Sequence, residues 1–169
     1  MFTQEWKLVT KEDKKIKRDI LIVLGNGFSI DLVKYLNLET KINLTNLFEK
    51  GDKVPWPSNN EPGFLSFRRC PALWQLGARP NINNHEASKI IEDIITCANV
   101  NAFSKENNGR YEEPSIYLRA YHELVIYLKY LFIYYNCILS DDILTKGKLK
   151  EWGWGKLFEN LNDNINISS

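Results

Sequence analysis

Apolar residues cluster along the chain with two different rhythms. Residues 20–24 (Ile-Leu-Ile-Val-Leu) form an unbroken aliphatic run that leads into Gly25-Asn26-Gly27-Phe28-Ser29. A run of this kind, with no polar alternation, predicts a strand buried on both faces, as inside a parallel sheet. Ser29 and Asp31 are helix-starting residues, and Leu32, Val33, Tyr35 and Leu36 supply an apolar face, so a helix is expected after the glycines.

Further on, the rhythm is helical. Asn37 to Phe48 offers a short amphipathic piece through Ile42, Leu44, Leu47 and Phe48. Residues 51–80 are broken by five prolines and by Gly63 and Gly77, which forbids long regular elements there. The same stretch holds Trp56, Phe64, Phe67 and Trp74, so it must pack on something rather than stay disordered. Asn83 precedes Glu86 by three residues, a capping-box pattern, and Ile90, Ile91, Ile94, Ile95 and Ala98 follow at helical spacing. A helix over about 84–98 is predicted.

A second, longer helix is predicted from Pro114 or Ser115 to Leu139, apolar on more than one face and therefore central to the core. Its length suits a bilayer, but Arg119, His122, Glu123 and Lys129 interrupt it, which favours a buried helix. His122 is expected there as a hydrogen-bonded core histidine. Trp152-Gly153-Trp154-Gly155 reads as an aromatic turn before a last helix at 156–161, and Ile165 and Ile167 hint at the start of a further strand. The expected fold class is α/β, with a Rossmann-like start of buried strand, glycine turn and helix joined to a large helical portion.

Composition narrows the class. At 169 residues, 44% hydrophobic and 25% charged, the chain has the length and make-up of one globular domain. The 22 Lys and Arg balance 21 Asp and Glu, which removes any electrostatic argument for nucleic acid or for an acidic membrane surface. Cys70, Cys97 and Cys137 are odd in number and widely spaced, which suits neither a disulfide framework nor a metal site and points to reduced cytoplasmic thiols. Residues 1–18 are a charged lead-in without the apolar centre of a signal peptide.

The glycine stretch carries the candidate chemistry. Glycine lets a phosphate approach the N–H groups that the first helical turn leaves unpaired, so Gly25, Asn26, Gly27, Phe28, Ser29 and Asp31 form a candidate nucleotide site. Ile30 stands where the full dinucleotide fingerprint has its third glycine. The alternative is that the glycines only make a tight turn.

Gly25-Asn26-Gly27-Phe28-Ser29 resembles the Gly-Ala-Gly-x-Ser turn of sirtuin-like proteins, in particular the divergent sirtuin-like domains of bacterial anti-phage defence systems. The abortive-infection H family has a similar Gly-Asn-Gly-Phe-Asp turn. Gly63, Phe67 and Arg68 match the glycine, phenylalanine and arginine of the sirtuin Gly-Ile-Pro-Asp-Phe-Arg segment, with Ser66 in the Asp place. Asn81-Ile82-Asn83-Asn84-His85 echoes the Asn-Ile-Asp segment and its histidine. The resemblance implies NAD as cofactor and cleavage of its nicotinamide–ribose bond. Phe28 and Phe67 would shape the pocket, Arg68 would assist at phosphate or ribose, and Asn81 and His85 would be the catalytic candidates. It further implies that residues 19–169 are a sirtuin-like domain incomplete at its C-terminal end. The chain would then act as a homo-oligomer or with a partner protein in a defence complex, either as a hydrolase or as a non-catalytic nucleotide-sensing or protein-interaction module.

Overall fold

The computed structural model describes residues 22–105, 115–146 and 148–165. Five α-helices and one 3-10 turn make up its regular elements: α1 (Asn26–Tyr35), α2 (Pro71–Gln75), α3 (Asn84–Lys105), α4 (Ile116–Lys146), the 3-10 turn Lys148–Glu151 and α5 (Gly153–Ile165). There is no strand among the described residues. The α/β expectation, with its Rossmann-like start, is therefore corrected to a helical architecture.

The correction has a physical cause. A strand must exchange backbone hydrogen bonds with a neighbouring strand, and a local run of aliphatic residues carries no information about whether one exists. Residues 22–24 have no regular structure, and Ile22, Val23 and Leu24 are 42%, 84% and 42% exposed, the opposite of a doubly buried strand. Residues 20 and 21 lie outside the described region, as do the lead-in 1–18 and Ile167. Ile165, expected in a nascent strand, is the last residue of α5.

α4 is the spine, with α3 and α2 packed against it. Ala120, Leu124, Tyr127, Leu131 and Tyr135 recur at helical spacing on its buried face. They meet Ile94 of α3, Leu73 of α2 and, from irregular segments, Phe48, Val54, Phe64 and Leu65 in one core. Ser115 caps α4 through its hydroxyl, which accepts from Leu118 N at 3.3 Å. At α3 the capping box is formed in both directions: Asn83 Oδ1 accepts from Glu86 N at 2.9 Å and Glu86 Oε2 accepts from Asn83 N at 3.3 Å. Both helices run past their expected ends, to Lys105 and Lys146.

Residues 37–70 contain no helix, yet they carry much of the core. Tyr127 donates to Leu47 O at 2.6 Å, and Phe64 sits with its ring centroid 5.9 Å from that of Tyr127 and 4.7 Å from that of Trp56. Asn46, the one buried polar residue among those described, binds outward to Ile82 O at 2.8 Å and caps its own turn through Oδ1. α1 ends on Asn37, whose φ of 58° suits the left-handed position that closes a helix, and Leu38 N returns to Val33 O at 2.9 Å. Gly77 closes α2 in the same way with φ 92°. His122, expected in the core, is exposed.

Candidate functional site

The glycine stretch begins α1 rather than preceding it. Gly25 is the N-cap with φ −91° and ψ 178°, and Asn26 and Gly27 are already helical, so neither glycine is needed for a left-handed turn. Among the described residues no side chain caps this end, and its first turn holds no acidic residue. Phe28 N bonds back to Gly25 O at 3.1 Å, and Gly25, Asn26 and Gly27 are exposed. A Cβ built on Gly25 or Gly27 would meet nothing within 4 Å. The positive end of a ten-residue helix is thus open to an anion.

Beside this end lies a cavity of about 170 Å³ between α1 and the C-terminal half of α4. Its apolar walls are Leu32 and Val33 of α1, Phe132 and Leu139 of α4, and Ile42 and Leu44 of the intervening loop. Asn26, Ser29, Tyr135 and Asn136 supply the polar positions. Two residues of the glycine stretch therefore face a pocket whose opposite wall comes from a helix more than a hundred residues later.

Tyr135 fixes the floor. Its hydroxyl donates to Asn43 O at 3.2 Å and accepts from Asn43 N at 3.3 Å, tying the loop to α4. Burial pushes its pKa up to about 12, so it stays a neutral phenol through the physiological range. Among the described lining residues no other is titratable. The cavity can hold a ring and hydrogen-bond it, and its described lining is otherwise amide, hydroxyl and aliphatic or aromatic.

The remaining sequence candidates are placed elsewhere. Phe28 is turned toward α5, with ring centroids 5.0 Å from Trp152, 5.4 Å from Trp154 and 6.2 Å from Phe158. Asp31 accepts from Trp152 Nε1 at 2.8 Å, which makes it a latch for the same element. Phe67 is 59% exposed and Arg68 is exposed, on the loop just before α2. α2 is held by Glu123, whose carboxylate accepts from Ala72 N at 3.2 Å and Leu73 N at 2.9 Å. At 1.5 Å per residue, Glu123 lies roughly 15–25 Å along α4 from the cavity residues, so that loop belongs to another region of the molecule. Arg69, not Arg68, makes the contacts there: it lies over Trp56 at 5.1 Å and binds Glu61 Oε2 at 3.1 Å.

Asn81 and His85 are both exposed at the start of α3 and do not line the cavity. The chain matches no family model, no curated protein and no solved structure. Among the described residues no cluster of three His, Cys, Asp or Glu could hold a metal ion, and no helix is long and apolar enough to cross a membrane. Sequence reasoning missed the α4 wall. Asn136, a lone amide within the apolar run 131–139 and one turn beyond Phe132, was the signal available for it.

Proposed function

We propose that this chain is a nucleotide-binding module, with NAD or a related adenine nucleotide as ligand, that senses rather than hydrolyses it. One observation carries the reading: Asn26 and Ser29 of the glycine stretch line an apolar cavity next to the uncapped start of α1. A phosphate would sit against the free N–H groups of the first turn, and a planar ring would enter between Leu32 and Phe132, with Asn136 as hydrogen-bonding partner. A volume of about 170 Å³ suits one ring with part of its sugar, so the other half of a dinucleotide would lie outside. The resemblance of residues 25–29 to the sirtuin-like turn supports NAD and a place in an anti-phage defence complex. The hydrolase reading is less well supported, because the catalytic candidates Asn81 and His85 lie outside the lining and none of its described residues is a base.

The test is a titration of NAD, ADP-ribose and AMP against wild type and Gly27→Val, followed by calorimetry, thermal shift and chromatography of released nicotinamide. A ligand at a hundred times its Kd stabilises the folded state by about 2.7 kcal/mol, or roughly 5–10 °C for a chain of this size. Binding by wild type, loss of binding in Gly27→Val and intact NAD are expected. Nicotinamide release would replace sensing with hydrolysis, and the absence of any shift would remove the nucleotide.

A further inference from the structure

The two ring systems of NAD differ in charge: its adenine is neutral, whereas its oxidised nicotinamide is a pyridinium cation. Among the described lining residues of the cavity between α1 and α4 none is charged. Asp31, the one acidic residue of α1, is engaged by Trp152, accepting from its Nε1 at 2.8 Å. Glu49, which accepts from the Asn43 side chain in the loop tied to Tyr135, is already paired with Lys50 at 2.5 Å. A cation entering the cavity would lose water without gaining a counter-charge, and would do so beside the positive end of α1.

A neutral purine meets no such cost. The Tyr135 hydroxyl spends its donor on Asn43 O and accepts from Asn43 N, so on the α4 wall the Asn136 carboxamide is the group left to read a base. A carboxamide offers two donors and an acceptor, and it pairs with an adenine edge through two hydrogen bonds. Phe132 gives a planar ring an aromatic surface to lie against. The carboxamide of nicotinamide can form the same two bonds and its ring the same contact, so charge is what separates the two ends of the ligand.

We propose that the cavity takes the adenine end of the ligand and leaves the nicotinamide end outside. The inference rests on the nucleotide reading above and gives it a specificity. NAD, NADH and ADP-ribose share their adenosine end and would be bound alike, with the nicotinamide–ribose bond left in water. The module would then respond to adenosine phosphates as a class and be indifferent to the redox state of NAD.

Calorimetric titration of AMP, nicotinamide mononucleotide, NAD and NADH against wild type and Asn136→Asp tests the assignment. AMP and nicotinamide mononucleotide carry the same ribose 5′-phosphate, so they differ only in the ring. In wild type AMP, NAD and NADH should bind within about threefold of one another and nicotinamide mononucleotide about 30-fold more weakly or worse. Asn136 is exposed, so Asn136→Asp is expected to fold, which circular dichroism checks. The new carboxylate loses the donor to adenine and supplies the missing counter-charge, so the gap between AMP and nicotinamide mononucleotide should close by about tenfold or more. Binding of neither AMP nor NAD to wild type would remove the nucleotide reading and this inference with it. Nicotinamide mononucleotide binding as tightly as AMP, NAD and NADH differing by about tenfold, or a gap unchanged in Asn136→Asp would overturn the adenine assignment alone and leave nucleotide binding standing.

Discussion

Gly51→Ala and Gly27→Ala add the same methyl group and should shift stability in opposite directions. At Gly51 a Cβ would stand 2.5 Å from Leu65 Cβ, 2.6 Å from Leu65 Cδ2 and 2.9 Å from Tyr127 Oη. Leu65 Cβ is fixed by its own backbone, and Leu65 N is in turn bound to Gly51 O at 3.0 Å, so rotating a side chain cannot relieve the contact. The two segments must separate by about an ångström, which strains the bond of Tyr127 to Leu47 O and costs about 1–3 kcal/mol as overpacking. Restricting the unfolded chain returns only about 0.4–1 kcal/mol, so the steric term wins. A net loss of about 1–2 kcal/mol corresponds to a melting temperature roughly 2–8 °C lower. At Gly27 the methyl group meets nothing within 4 Å and the backbone is already helical, so the same entropy term and the higher helix propensity of alanine act unopposed. A gain of about 0.5–1 kcal/mol, roughly 1–4 °C, is expected. Urea and thermal unfolding by circular dichroism measure both. If Gly51→Ala were as stable as wild type, or Gly27→Ala less stable, the packing at residues 51–65 or the open start of α1 would be wrongly described.

Two further outcomes are specific. Burial pushes the Cys70 thiol from 9.0 to about 12 and Tyr135 from 10.0 to about 12, and it raises Tyr127 further. The unfolded chain sheds these protons from about pH 9 upward while the folded chain retains them, so stability should fall as pH rises between about 9 and 12, and Cys70→Ala should flatten a melting curve series over that window. Removing the Glu123 carboxylate strips α2 of two charge-assisted caps, so Glu123→Ala should lose about 2–3 kcal/mol in urea unfolding, and an unchanged midpoint would contradict the cap.

The sequence by itself determined the long helices. Asn83 with Glu86, and Ser115 ahead of an apolar periodic run, are local signals, and capping and side-chain periodicity act within a few residues, so α3 and α4 were legible with only their C-terminal ends misplaced. It also marked the open glycine stretch, because unpaired N–H groups at a helix start are a property of the local backbone. Tertiary structure decided the rest. Whether residues 22–24 form a strand depends on a partner elsewhere in the chain, and none is present among the described residues. Whether Phe28 and Asp31 serve a ligand or Trp152 depends on where α5 docks, more than a hundred residues away. The cavity wall of Phe132 and Asn136 follows from how α4 is rotated against α2 and α3. That rotation is set by the sum of many weak packing contacts across the core, and no single residue encodes it.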